Sequence, residues 1–312
     1  MERLFIRGTR TWQISKHEGQ ALEQIVGTTR RPHNVLACNM ALRTQAFRCF
    51  AAALGEMAQE DPGLRFVFIT LISSQWASFD RTVMIDLVNM QDQIYAAMAE
   101  GNFTGWTGVV EVQACADTVL GRGRTILPNF HAIAWSDDSQ FDFAKAEALM
   151  LACPRLFSAI DAPTVAFGQP TQLHADLPRL AAYMFKAPCV AKRLVSTNRG
   201  PRFRDASLRP NLAVRLLECL SMLELPELIL SSGKGILLRN KLVNALRNIG
   251  ASKLIQLRLA RPARLWLTLR TRSNKARYLP VYIRRRSNRA QRLPCGSRSA
   301  ATKLRPGAKD RG

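Results

Sequence analysis

The stretch Pro128-Asn129-Phe130-His131-Ala132-Ile133-Ala134-Trp135 decides how this chain is read. Taken as a strand, its alternation sends Asn129, His131 and Ile133 to one face and Phe130, Ala132 and Ala134 to the other. On a neighbouring strand candidate at 107–113, Val109, Glu111 and Gln113 share a face opposite Val110 and Val112. The loop between them contains Gly121-Arg122-Gly123-Arg124, which discourages regular structure, so an antiparallel pair is the economical arrangement. In the right register Glu111 meets His131 and Asn129. A carboxylate, an imidazole and an amide oxygen together suit a divalent cation such as Mg²⁺ or Mn²⁺. The plain alternative is a lone strand histidine beside an unrelated glutamate.

Outward from this pair, Leu36, Met40, Phe47, Phe50, Leu54 and Met57 recur at helical spacing over 36–58, before the break at Asp61-Pro62-Gly63. Arg65 to Leu71 is β-branched and aromatic and predicts a buried strand. Helical period returns over 80–99, followed downstream by helices at about 141–157 and 176–187 with an extended piece near 163–168 between them. Beyond 200, two leucine-rich amphipathic patterns at 211–223 and 236–249 flank Ser231-Ser232-Gly233-Lys234-Gly235. They predict a small helical appendage, packed as a hairpin or, less simply, as a helix-turn-helix. The Ser-Gly-Lys-Gly run lacks the spacing of a nucleotide-binding phosphate loop and reads as an inter-helix turn.

The chain has 312 residues, 47% of them apolar, enough to bury a sizeable core. Its net charge is +22, and residues 261–312 supply most of it, with 16 basic residues against the single acid Asp310. Nucleic acid is therefore the leading partner class. Arg284, Arg285 and Arg286 are expected to contact phosphates without reading sequence, with Tyr278 and Tyr282 available to stack on bases. A nonessential solvated extension, or even an altered reading frame, also accounts for that composition. Periodicity fades there, so 256–312 is expected to be a disordered Arg-rich tail. No apolar stretch reaches the roughly 20 residues of a membrane span, and charges at Glu2, Arg3, Arg7 and Arg10 interrupt any secretory signal. Seven scattered cysteines without a CxxC pair suit free thiols in a reducing cytoplasm. His17, His33 and His174 stand apart and read as structural or surface residues.

The helix at 176–187 sets Arg179, Tyr183 and Lys186 at i, i+4 and i+7, apart from the stripe of Leu177, Leu180 and Met184. Cations flanking a tyrosine favour the phenolate and also hold a phosphodiester beside it, as a tyrosine nucleophile acting on DNA requires. A half-buried boundary tyrosine is the alternative.

Three segments now stand in order: Phe66 to Leu71; Val109-Val110-Glu111-Val112 running to Pro128 through Ile133; and Ala182-Tyr183-Met184-Phe185-Lys186. Over residues 60–190 this order resembles the three-motif signature of rolling-circle replication initiators, in the superfamily of His-hydrophobic-His endonucleases that also includes relaxases and single-strand transposases. The resemblance implies an α+β fold: an antiparallel sheet with helices packed on one face, the metal site on central strands and the tyrosine on a helix facing it. It implies that Glu111, Asn129 and His131 hold Mg²⁺ or Mn²⁺, that Tyr183 is the nucleophile and Lys186 the lysine after it; Arg179, set beside Tyr183 by helical spacing, is expected to contact DNA. One departure is present, since Asn129 stands where a first histidine is expected. Ala187 follows Tyr183 by four, so the motif has a single tyrosine.

The expected organisation is an N-terminal helical segment over 1–60, a nicking domain over 61–200, the helical appendage over 201–255 and the tail. The expected function is an initiator for a plasmid, phage or mobile element that nicks single-stranded origin DNA and works with host replication proteins. Two alternatives remain open: a non-catalytic DNA-binding relative and a single-strand transposase.

Overall fold

The computed structural model describes residues 35–116, 124–158, 163–171, 176–186, 190–197, 200–251 and 281–285. Two long strands form its centre, β4 (Gly105–Ala116) and β5 (Arg124–Ser136), paired antiparallel in one unbroken register. Around them lie β1 (Arg65–Leu71), β2 (Ser78–Phe79), β6 (Val165–Phe167), β7 (Ala191–Thr197), β8 (Gly200–Ala206) and β9 (Ile229–Gly233), giving an eight-stranded, mostly antiparallel sheet. The main path runs β6-β1-β5-β4-β7-β8, and β2 pairs with β5. The far edge of β4 is shared: β9 pairs with Gly105–Val109 and β7 with Cys115–Ala116.

Six helices complete the α+β architecture among the described residues. In α1 (Met40–Glu60), the Asn39 side chain accepts from the Leu42 N–H and caps the start. The buried stripe Leu42, Arg43, Ala46, Phe50, Leu54 and Ala58 repeats at helical spacing, with an arginine inside it. Asp86 caps α2 (Leu87–Glu100) in the same way. The helical period expected from residue 80 is therefore taken up later than the sequence predicts. Residues 80–86 instead form a turn and β3 (Met84–Asp86), because the carbonyls of Asp80 and Arg81 accept from the Arg215 guanidinium. Asp142 caps α3 (Phe143–Leu151), which stops ahead of Pro154. The next helix, α4 (Leu177–Phe185), carries a proline in its first turn and ends before Lys186, whose backbone is extended.

Phe50 meets Phe185 edge-on at 5.7 Å and joins α1 to α4. On the sheet, Phe68, Thr70, Glu111, Gln113, Asn129 and His131 share one face, and α4 lies over it. The other face presents Val110, Val112, Phe130, Ala132 and Ala134, and there Trp106 packs on Phe130 and on Tyr95 of α2.

The stretch 201–255 contains the two expected helices, α5 (Pro210–Ser221) and α6 (Gly235–Ala251), and it also contributes to the sheet. Ser231-Ser232-Gly233, read as an inter-helix turn, is instead the end of β9. Buried Leu212, Leu216, Leu220, Leu230 and Leu246 belong to the same core as the central strands. Amphipathic periodicity marks which face of a helix is buried, not what it is buried against.

The turn from β9 into α6 needs its glycines. Gly233 has φ +56, and a Cβ on Gly235 would stand 2.0 Å from the Trp106 carbonyl oxygen, which as backbone cannot step aside. Alanine ordinarily favours a helix by about 1 kcal/mol over glycine. Gly235→Ala is nevertheless expected to destabilise the fold by about 1–3 kcal/mol through overpacking, read as a lower denaturant midpoint at unchanged slope.

The Arg-rich tail falls outside the described residues except for 281–285. There β10 (Tyr282–Arg284) pairs in parallel with β3, and Val281 is buried. His17, His33 and His174 also lie outside the described residues. Among the described residues no helix is long and apolar enough to cross a membrane. Five cysteines there are free thiols, and burial pushes Cys38 and Cys115 up to about 12, which suppresses the reactive thiolate.

Candidate active site

Cross-strand register builds the site. Glu111 stands directly opposite Asn129, and His131 is one diagonal step away on the same face. Glu111 Oε2 lies 2.9 Å from His131 Nε2. Asn129 Nδ2 donates to Gln113 Oε1 at 3.3 Å. All four side chains are buried, and two oxygens there, Glu111 Oε1 and Asn129 Oδ1, have no hydrogen-bond partner. Buried acceptors without a donor are costly unless something positive meets them.

The third strand completes the histidine's environment. Thr70 is the β1 partner of His131, and its Oγ1 is 3.0 Å from His131 Nδ1. The threonine hydroxyl can donate to Nδ1 while Nε2–H donates to Glu111, or accept from Nδ1–H and free Nε2 as a ligand. Phe68 stacks on the imidazole at 5.5 Å. Neither Thr70 nor Phe68 stands out in the sequence, although alternation along 65–71 puts both on one face.

Above this floor, α4 presents Tyr183. Its ring lies 5.1 Å from that of His131 and 5.4 Å from that of Phe68, both edge to face, and the residue remains 43% exposed. Lys186 does not continue the helix as its spacing predicts, yet its ammonium returns to lie 3.6 Å from the Tyr183 ring centroid and 3.6 Å from Glu111 Oε2. Arg43 accounts for this placement: buried within α1, it donates through Nε to the Ala37 carbonyl and through Nη1 to the Lys186 carbonyl at 3.2 Å. An arginine within an apolar helical stripe is the sequence signal of such a buried anchor.

The remaining expected residues are elsewhere. Arg179 is exposed, and among the described residues it pairs with Asp176 at 3.5 Å. Arg284 and Arg285, expected to meet phosphates, each hold an acidic group of this chain, Asp86 at 3.1 Å and Glu227 at 2.8 Å. The parallel pairing of 282–284 with β3 carries them there. Arg286 lies outside the described residues.

Burial on its own would raise the Glu111 carboxyl, but the His131 hydrogen bond and the charges of His131, Lys186 and Arg43 outweigh it and hold it below the ordinary range. A depressed carboxyl adds stability that is present above the unfolded-state value, about 4.5, and is lost as pH falls through the folded value. Thermal midpoints followed downward from neutral pH should therefore fall less steeply below about 4.5 in Glu111→Gln than in the wild-type protein. An unchanged acid limb would show that Glu111 is not held ionised.

The donor set fits a hard divalent cation. Glu111 and His131 supply an oxygen and an imidazole nitrogen, and the unpartnered Asn129 Oδ1 supplies a second oxygen. Among the described residues no group of three His, Cys, Asp or Glu converges, because the third donor here is an amide. Set against protein-family models, curated proteins and solved structures, the chain matches none.

Proposed function

We propose that this protein is a metal-assisted DNA-nicking enzyme of the His-hydrophobic-His type, acting as a replication initiator on single-stranded origin DNA of a plasmid, phage or mobile element. The observation that carries this reading is the convergence of Glu111, Asn129 and His131 on one sheet face beneath Tyr183 and Lys186. When bound, Mg²⁺ or Mn²⁺ supplies charge that polarises the scissile phosphate. Tyr183 Oη attacks phosphorus as the P–O3′ bond breaks, leaving a 5′-phosphotyrosine; the phenolic proton leaves to solvent and the 3′ oxygen departs as a free hydroxyl. Lys186, beside both the tyrosine and Glu111, offers a cation to the phosphodiester, and exposed Arg179 offers another along the same helix. The freed 3′-OH then primes replication by host proteins in the cytoplasm, or rejoins another end as a transposase would require.

Labelled single-stranded DNA incubated with the protein and Mn²⁺ tests the proposal through a covalent, denaturation-resistant adduct.

A second reading has its own observation. Glu111 is already contacted by His131 and Lys186, so its charge is balanced by the chain itself. In a non-catalytic DNA-binding relative that arrangement is structural. Single-stranded DNA then binds with steep salt dependence and is never cleaved, whatever metal is present.

A further inference from the structure

We propose that Gln113 is a positioning residue that fixes the Asn129 amide with its carbonyl oxygen toward the cation, and that the oxygen-rich site so formed discriminates less in favour of Zn²⁺ and Co²⁺ over Mn²⁺ than a site with histidine at 129. The inference rests on the metal-assisted reading above.

An asparagine side chain has two unlike ends, and only its oxygen can ligate a cation. Which end faces the site is set by what holds the other. Gln113 stands one diagonal step from Asn129, and its Oε1 accepts from Asn129 Nδ2 at 3.3 Å. With the NH₂ group engaged, Oδ1 is turned away from Gln113, buried and without a partner. Both residues are 5% exposed, which limits water as an alternative partner for either end. Opposite Asn129, Glu111 Oε1 is likewise buried and unpartnered. On the far side, Thr70 engages His131 Nδ1 and leaves Nε2 toward Glu111. The two hydrogen-bonded ligands are thus oriented from opposite sides, Asn129 by Gln113 and His131 by Thr70.

The preference among cations follows from the donors. Each imidazole raises affinity for later first-row ions more than for Mg²⁺ or Mn²⁺, whereas carboxylate and amide oxygens suit the harder ions. One imidazole with two oxygens is shifted toward the hard end relative to two imidazoles with one oxygen.

The test measures metal binding directly on the full chain, with free Mn²⁺ followed by electron paramagnetic resonance and Mg²⁺, Zn²⁺ and Co²⁺ by competition. His131→Ala marks what is lost when the site itself is removed. Gln113→Leu is expected to weaken Mn²⁺ binding by about tenfold or more, the usual effect of losing a residue that orients a ligand. Gln113→Glu keeps an acceptor for Asn129 Nδ2 and is expected to retain affinity. Asn129→His is expected to shift the Zn²⁺/Mn²⁺ affinity ratio toward Zn²⁺ by about tenfold or more, and to raise nicking in Mn²⁺. Unchanged Mn²⁺ affinity in Gln113→Leu, with loss in His131→Ala, would overturn the role of Gln113 and leave the metal site standing. Mn²⁺ binding no tighter in the wild-type protein than in His131→Ala would remove the metal site and this inference together. Metal-free melting curves control for folding. If Gln113→Leu does not fold, a tenfold loss of affinity in folded Gln113→Glu also overturns the proposal.

Discussion

On the proposed nicking mechanism, Tyr183→Phe is expected to abolish the covalent DNA adduct and to lower nicking by at least about a thousandfold, since it removes the attacking oxygen. The substitution isolates chemistry from folding unusually well. Phenylalanine retains the ring that meets His131, Phe68 and the Lys186 ammonium, and the residue is 43% exposed. Stability is therefore expected to stay within about 0.5 kcal/mol of wild type. DNA binding, governed by phosphate contacts, is expected to change little. Adduct yield, melting midpoint and single-stranded DNA affinity measured on the same preparation separate the possibilities. An adduct of undiminished yield in the variant would assign the covalent bond to a different side chain, and its absence in both proteins would favour the binding-only reading.

Arg215→Met is expected to cost about 3–5 kcal/mol of stability, the effect of removing one partner from a buried ion pair. Arg215 is completely buried and makes three described contacts at once: Nε to the Asp80 carbonyl at 2.6 Å, Nη1 to Glu218 Oε2 at 2.8 Å and Nη2 to the Arg81 carbonyl at 3.4 Å. It thereby fixes the turn between β2 and β3 to α5. Methionine fills much of the same volume but satisfies none of those acceptors. Burial already pushes the Glu218 carboxyl up to about 7 despite the guanidinium beside it. A carboxyl raised in the folded state costs stability as pH rises from the unfolded value near 4.5 through the folded value. Without Arg215 that penalty grows, so the variant should lose more at pH about 8 than at pH about 5. Denaturant unfolding at the two pH values checks this, and an equal loss at both would show that Glu218 is not the group left unpartnered.

Val281 is buried and the Tyr282 N–H donates to the Val83 carbonyl at 3.0 Å, so the segment 281–285 docks beside the turn that Arg215 holds. The charge of that segment's two arginines suggests DNA, and in this fold Arg284 and Arg285 also pair with Asp86 and Glu227 of the same chain. Charge is a property of the residue, but its partner depends on where an extended segment is laid down.

Local period was enough to read the floor of the site. Alternation along 107–113 and 128–135 put Glu111, Gln113, Asn129 and His131 on paired faces, because successive strand side chains point to opposite sides whatever surrounds them. The antiparallel pairing followed from a short polar connection, and the helix under Tyr183 from its 3.6-residue period. What required the tertiary structure were the groups brought in from a distance. Thr70 reaches His131 only because β1 pairs with β5 in one particular register. Arg43 reaches the Lys186 carbonyl only because α1 packs on α4. Lys186 itself leaves the helix early and still arrives over Tyr183, a placement set by that arginine and not by helical spacing. The stretch read as a turn at 231–233 became a strand because β4 had a free edge beside it. Sequence determined which side chains share a face, since that depends on bonds one or two residues away. Tertiary structure decided which faces meet, since registers and packing are chosen by burial summed over the whole core.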